Sequence, residues 1–364
     1  MKVEELDTPA VIVNLDVMER NLAQLAAYCS QHHMKLRPHT KTHKIPELAR
    51  RQLAGGAVGI TVAKVGEAEI MVDSGINDIL IASPIVNPRK ARRVASLAER
   101  ARITVSLDSE EAARALSQQA LELDAKIGIL VEIDVGLHRC GVPDEQAAVA
   151  LARIIAGLKG LELRGLMFYP GHLLVPPHQQ RAMIWPINDL LGKTMEAFRH
   201  IGLPTETVSG GSTPTAYLSH EFRGMTEIRP GMYIFNDRNM LGARVARFED
   251  CALSVLVTVV STAVSGRAVV DGGSKTFSSD RFLAGDGIGF GAVAEDPHAV
   301  FESMSEEHGH FNIVQSERIY RVGERLTIIP NHVCATINLH DEIYGVRGLQ
   351  VESVWKVAAR GRVQ

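Results

Sequence analysis

The sequence predicts a (β/α)8 TIM-like barrel followed by an all-β C-terminal domain. Three observations carry that expectation. From residue 35 to about 235, eight short apolar runs alternate with amphipathic segments. Polar and titratable residues gather at the C-terminal ends of those runs and not at their beginnings, as in barrels that carry their chemistry on one face. After about residue 236 the helical period stops, and strand-like runs follow one another between Gly, Asp and Pro turns. The expected domains are residues 10–235 and 236–364, with residues 1–9 open to join the second.

The eight strands are read in order as KLRPH, AVGITVA, DILIASP, ITVSLD, KIGILVEIDV, LRGLMFY, TETVSG and TEIRPG. Between them, segments such as PRKARRVASLAERA and DEQAAVALARIIAGLKG repeat apolar residues at helical spacing and end at Gly or polar caps. An open doubly wound sheet is disfavoured, since no G-x-G-x-x-G follows the first strand. Beyond residue 236 the strand candidates are CALSVLVTVVSTAV, RAVVDGG, FNIVQSERIY, RLTIIPNHVCATINL and VESVWKVAARGRV. PAVIVNL, near the N-terminus, suits either domain.

The bulk numbers exclude several classes of function. A chain of 364 residues with 46% apolar and 22% charged content has the make-up of a globular protein. Its net charge of −3 gives no basic surface for nucleic acid. The first residues lack the layout of a signal peptide, and CALSVLVTVVSTAVSG is too short and too rich in hydroxyls to span a membrane. Cys29, Cys140, Cys251 and Cys334 show no paired spacing, so reduced thiols in a cytoplasmic protein are expected.

The strand ends supply the chemistry. The first offers His39, Lys41, His43 and Lys44, with no carboxylate among them. Later ends bring Ser83, Asp108, Asp134, His138, Arg139, Tyr169, His172 and Arg229. The seventh runs into SGGSTPT, Ser209 to Thr213 and beyond, where Gly210 and Gly211 free the backbone and Ser212 and Thr213 add hydroxyls, a turn suited to a phosphate. A phosphate turn, a strand-end lysine and a nearby arginine suggest pyridoxal 5′-phosphate (PLP) held as a Schiff base, for which a lysine crowded by other cations is apt. Lys41, at the strand mouth, is preferred to Lys44, which is expected on the outer first turn of the next helix.

These motifs, RPHTKTHK, GLHRCGV, YPGH, SGGSTPT, EIRPGMYIFND, DGGSKTFSSD and PNHVCATINLHD, span residues 37 to 341. Together they resemble the fold-type III PLP enzymes, in particular the D-threonine aldolases and the D-serine or 3-hydroxy-D-aspartate dehydratases. The resemblance implies a homodimer acting on a small D-amino acid. It implies that Lys41 binds PLP and moves the Cα proton, and that Arg139 faces the cofactor's phenolic oxygen. Tyr169 and His172 would line ring and substrate, the Ser209–Thr213 turn would bind phosphate, and Arg229 would face the pyridine nitrogen. His332 and Cys334 would hold a divalent metal. Two residues apart on a strand they would face the same way, and imidazole with thiolate favours Zn²⁺ over Mn²⁺ or Mg²⁺. Aldolases of this group typically have aspartate at the cysteine position, so Cys334 points to dehydration of a β-hydroxy-D-amino acid. Retro-aldol cleavage is the first alternative, and an amino-acid racemase or a non-catalytic PLP carrier are further rivals. Asp341 is a further candidate ligand. His32, His33, His200 and His220 are expected on the surface, and His308 and His310 in a solvated turn.

Overall fold

In the computed structural model, which describes residues 1–284 and 288–364, the run Ala10–Asn14 forms β1. The eight runs read from the sequence form β2 (Lys35–Leu36), β3 (Ile60–Val62), β4 (Asp78–Ile81), β5 (Arg102–Leu107), β6 (Ile127–Ile133), β7 (Leu161–Phe168), β8 (Thr207–Gly210) and β9 (Glu227–Ile228). Helix α1 (Leu15–Gln31) precedes them, and α2 (Pro46–Ala54), α3 (Val65–Asp73), α4 (Pro88–Ala98), α5 (Glu110–Glu122), α6 (Glu145–Gly157) and α7 (Pro177–His200) alternate with them. None of the helices among the described residues is long and apolar enough to cross a membrane.

The chain divides into two units, residues 24–41, 46–231 and 361–364 in one and residues 1–23, 42–45 and 232–360 in the other. In the first, β2 to β9 make a parallel sheet in the order β2-β9-β8-β7-β6-β5-β4-β3. The sheet curls until its ends meet. Val58 N donates to Leu36 O at 2.9 Å, Thr61 N donates to Pro38 O at 2.8 Å, and His39 bridges Thr61 in parallel. Strands covered on both faces must be apolar throughout, and β6 is buried at every position. The helices begin where side chains can cap them. Asn87 accepts from Arg89 N and Lys90 N at the start of α4, and Asp144 from Ala147 N at the start of α6.

The barrel interior is layered. At the N-terminal ends of the strands, Arg37 donates to Glu227 at 2.7 Å and to Asp78 at 2.6 Å, and Arg164 donates to the Thr104 hydroxyl at 2.6 Å. Bulky guanidinium groups fit there because two neighbours lack side chains. A Cβ on Gly59 would stand 2.2 Å from Arg37 Nη1, and one on Gly128 would stand 2.3 Å from Arg164. Leu80, Leu130 and Met167 form an apolar layer above this charged floor, and Met167 also lines the mouth at the opposite end.

The second unit is a nine-stranded sheet ordered β11-β14-β13-β12-β15-β10-β1-β16-β17. Its strands after the barrel are β10 (Leu253–Ser261), β11 (Arg267–Val270), β12 (Gly291–Val293), β13 (Val300–Met304), β14 (Gly309–Asn312), β15 (Arg325–Pro330), β16 (Glu342–Arg347) and β17 (Gln350–Lys356). An additional β11–β10 pairing closes six of them into a ring. Phe301 stacks on Phe311 with centroids 4.6 Å apart, and the edge of Phe277 meets Phe301 at 5.2 Å.

Two expectations are corrected here. Residues 10–23 belong with the β unit, because β1 pairs antiparallel with β10 and parallel with β16. The run RLTIIPNHVCATINL is not one strand. β15 ends at Pro330, and Val333–Ile337 is a short helix. The Asp237 carboxylate accepts from Val333 N at 3.2 Å and so supplies an acceptor for the first turn.

Candidate functional site

At the C-terminal ends of the barrel strands lies a cavity of about 230 Å³, lined among others by His39, Lys41, Glu132, Arg139, Tyr169 and Arg229. The Tyr169 ring is its centrepiece. Lys41 Nζ lies 5.9 Å from the ring centroid and Arg139 Cζ lies 4.8 Å from it. Arg139 is carried by a loop fixed at two points. Asp134 accepts from Gly136 N at 2.9 Å and from His138 N at 3.0 Å, and Asp108 accepts from Gly141 N at 2.8 Å.

The cavity is cationic, and burial tunes its members. Arg229 is only 4% exposed. Burial draws its guanidinium down, while Glu132 and Glu227 oppose that. It donates from Nη2 to Phe168 O at 2.7 Å, and its Nε finds no partner. Glu132 is pushed up by burial and pulled down by Arg229 and Arg139. His39 is held well below its ordinary range, first by burial and then by the charges of Lys41 and Arg229, so it stands neutral. His172 is also lowered, chiefly by burial and against the pull of Asp134, and its Nδ1 is buried without a partner.

The glycine-rich turn follows β8. Gly211 adopts φ +79°, and a Cβ on Gly210 would stand 2.2 Å from the Phe168 ring. The hydroxyl of Ser209 donates into the barrel, to Glu227 at 2.6 Å, and the Ser212 amide donates to the Thr215 hydroxyl at 3.1 Å. Ser212 and Thr213 are both buried. Arg229 Nε without an acceptor and a lysine and an arginine flanking one aromatic ring fit a phosphorylated, ring-shaped cofactor.

In the β unit, His332 is extended and precedes the helix Val333–Ile337, with Cys334 in its first turn. His332 Nδ1 lies 2.6 Å from Asp280 Oδ2, and Cys334 Sγ donates to the Thr42 hydroxyl at 3.3 Å. Burial alone would lower the His332 imidazole, yet the charge and hydrogen bond of Cys334, with Asp237 and Asp280, push it up to about 10. Asp237 itself is raised by burial to about 6, against His332 and the backbone amides that it accepts from. Among the described residues no group of three or more His, Cys, Asp or Glu is arranged to hold a metal. What this corner offers is one imidazole and one thiol, a donor pair whose chemistry would suit a borderline or soft ion.

Lys44 is not on an outer helical turn. It is buried at φ 58° and donates to Asn338 at 2.8 Å. Asp341 pairs with Arg360 at 2.5 Å. His220 is exposed as expected and His32 half-buried; the two rings stack at 4.1 Å, and His220 bonds the Tyr28 hydroxyl at 2.8 Å. His310 lies on β14 and not in a turn. Sequence reasoning passed over Glu132 and Asp280. A carboxylate inside the otherwise apolar ILVEI was a usable signal for the first, and the second closes the motif DGGSKTFSSD, which was read without a role for its last residue.

The sequence matches the family model for the alanine racemase N-terminal domain over residues 13–239 and that for a putative serine dehydratase domain over residues 252–346. It is 34% identical to a D-threonine aldolase of Arthrobacter sp., covering 98% of this chain and 93% of that protein. It is 34% identical to the D-threo-3-hydroxyaspartate dehydratase of Delftia sp., covering 99% and 96%. The crystal structure of D-threonine aldolase from Filomicrobium marinum superposes with a TM-score of 0.92 at 38% identity, covering 98% of this chain and 96% of that one. The Delftia dehydratase gives 0.91 at 32%, covering 98% of both. Solved structures of a D-threo-3-hydroxyaspartate dehydratase include one with alanine in place of a histidine and one, in the metal-free form, with alanine in place of a cysteine two positions later.

Proposed function

The chain belongs to the alanine racemase N-terminal domain family, and on that premise we propose that it is a PLP- and divalent-metal-dependent lyase of β-hydroxy-D-amino acids, a dehydratase yielding a keto acid and ammonia. Its relatives are lyases that act on D-amino acids. The observation that carries the choice of dehydration is the pairing of His332 with Cys334, which matches the spacing of the histidine and cysteine altered in solved variants of a D-threo-3-hydroxyaspartate dehydratase.

In this reading Lys41 would hold PLP at the mouth, and its amine would then be the base that takes the Cα proton. Arg139, beside the Tyr169 ring, would serve the phenolic oxygen of the cofactor, and Arg229 its pyridine nitrogen. Gly210, Gly211, Ser212 and Thr213 take the phosphate through backbone and hydroxyl donors, while Ser209 serves the barrel floor with its hydroxyl. Bound PLP supplies the electron sink for the pair left at Cα. His332 and Cys334 would hold the metal, zinc by preference, and the chemistry it would supply there is Lewis acidity toward the β-hydroxyl. The hydroxyl departs, water later replaces the amino group, and the net products are keto acid and ammonia. The family resemblance supports a homodimer.

A second reading, retro-aldol cleavage to glycine and an aldehyde, is favoured by the 38% identity to a D-threonine aldolase. In it His172, held neutral by burial, takes the hydroxyl proton. One assay separates the two. Purified protein with PLP and Zn²⁺ or Mn²⁺ is given D-serine, D-threonine and D-threo-3-hydroxyaspartate, and ammonia and glycine are measured in parallel. Ammonia abolished by chelator establishes the dehydratase. Glycine with aldehyde establishes the aldolase, and neither product with PLP bound points to the racemase or the carrier.

A further inference from the structure

The geometry points to Asp280 as the positioning residue of the metal centre, the group that turns His332 to present Nε2 and fixes which ring nitrogen carries the proton. This rests on reading His332 and Cys334 as metal ligands. The Asp280 carboxylate lies 2.6 Å from His332 Nδ1. A carboxylate can only accept there, so Nδ1 keeps its proton and Nε2 is the nitrogen that would give up its proton to a metal. A metal-bound histidine typically needs such a partner, since an unsupported imidazole rotates about two torsions and exchanges between two tautomers.

The carboxylate is itself held in place from the neighbouring residue. Asn331, 2% exposed, donates from Nδ2 to Asp280 O at 3.0 Å and to Gly289 O at 2.8 Å. Its Oδ1 accepts from Arg238 Nη1 at 3.1 Å, and its backbone oxygen from Asn239 Nδ2 at 2.8 Å. On the other side, Asp280 N donates to Ser278 Oγ at 3.2 Å. The turn that carries Asp280 is thus tied to the residue immediately before His332. Backbone bonds set where Asp280 sits, and its carboxylate sets where the imidazole points. Since no third His, Cys, Asp or Glu joins the two ligands among the described residues, metal affinity depends heavily on how well those two are presented.

The test is a zinc titration of the full-length, PLP-loaded protein after chelator treatment, read by competition with a chromophoric chelator. Wild type, Asp280→Ala and Asp280→Asn are compared, with melting temperature as the folding check. Loss of an outer-shell partner of this kind costs about 10–100-fold in metal affinity. That loss is expected for Asp280→Ala, with Asp280→Asn between it and wild type, because the amide oxygen can still accept from Nδ1. Ring-nitrogen NMR of histidine-labelled, zinc-loaded protein adds a readout that a purely structural role would not move. It should show a single His332 tautomer in wild type and exchange in Asp280→Ala. Zinc affinity of Asp280→Ala within about twofold of wild type overturns the inference while leaving the metal reading intact. If Asp280→Ala does not fold, a zinc affinity of Asp280→Asn indistinguishable from wild type overturns it equally. A wild-type chain that binds no zinc overturns the metal reading, and this inference with it.

Discussion

Replacing Arg37 by methionine isolates the charge network on the barrel floor. The guanidinium bridges Glu227 at 2.7 Å and Asp78 at 2.6 Å, and the Arg37 and Glu227 side chains are 13% and 4% exposed. Methionine keeps most of the apolar stem and deletes the cation. Glu227 then retains the Ser209 hydroxyl as donor but loses its counter-charge. Asp78 suffers less, at 20% side-chain exposure and with Arg102 at 3.8 Å. Removing one member of a buried pair costs about 3–5 kcal/mol, because the other charge is left behind. For a unit of about 200 residues each kcal/mol lowers Tm by about 2–4 °C, so a fall of roughly 6–20 °C is expected. Calorimetry of the PLP-loaded chain with Arg37→Met, Glu227→Gln and the double variant measures it. The double variant should melt above Arg37→Met, since a neutral amide beside methionine leaves no bare charge on that side. An Arg37→Met Tm within about 3 °C of wild type, or a double variant no better than the worse single, refutes the reasoning.

Lys41→Ala should abolish the visible Schiff-base absorption on reconstitution with PLP, whereas Lys44→Ala, whose amine is engaged by Asn338, should keep it; borohydride reduction and peptide mass mapping identify the labelled lysine. Gly210→Ala would set a methyl 2.2 Å from the Phe168 ring, and a stability loss of about 1–3 kcal/mol with weaker PLP binding should appear in denaturant and fluorescence titrations. His172, lowered first by burial, should give an acid limb of kcat/KM below its ordinary 6.5 that His172→Phe removes. Because its folded value is depressed, its contribution to stability is present above the unfolded value and lost as pH falls, so His172→Phe should also be the less acid-sensitive protein.

Strands such as β3, β4 and β6 were legible because a parallel strand buried on both faces leaves an apolar run, and short runs between helical repeats admit few foldings. The mouth residues followed from the same rule, since strand ends bring Lys41, Arg139, Tyr169 and Arg229 together wherever the sheet curls. Pairing partners were not legible. AVIVN reads as a strand but names no neighbour, and only the register with β10 and β16 assigns it. β12 and β13 escaped notice because three and five residues with alternate burial carry too little pattern. The helical start at Val333 depends on Asp237, 96 residues earlier, and the orientation of His332 on Asp280, 52 residues earlier. No local window holds either pair. Ser209 shows the limit of motif reading from the other side, since its place in SGGSTPT suggests phosphate while its hydroxyl is engaged by Glu227.

β1 also has a history in time. Ile12 to Asn14 pair with Tyr344 to Val346, so one edge of this early strand has no partner until about 330 more residues have left the ribosome. At about 5–20 residues per second that wait is on the order of 15–65 s. Throughout it, an apolar segment with unpaired backbone groups is exposed to other nascent chains. The barrel strands all lie before residue 231 and have no such delay. Loss of the last 23 residues would remove β16 and β17 and leave β1 open on that edge, so C-terminal truncation should be felt first at the opposite end of the chain, as aggregation seeded by residues 10–14.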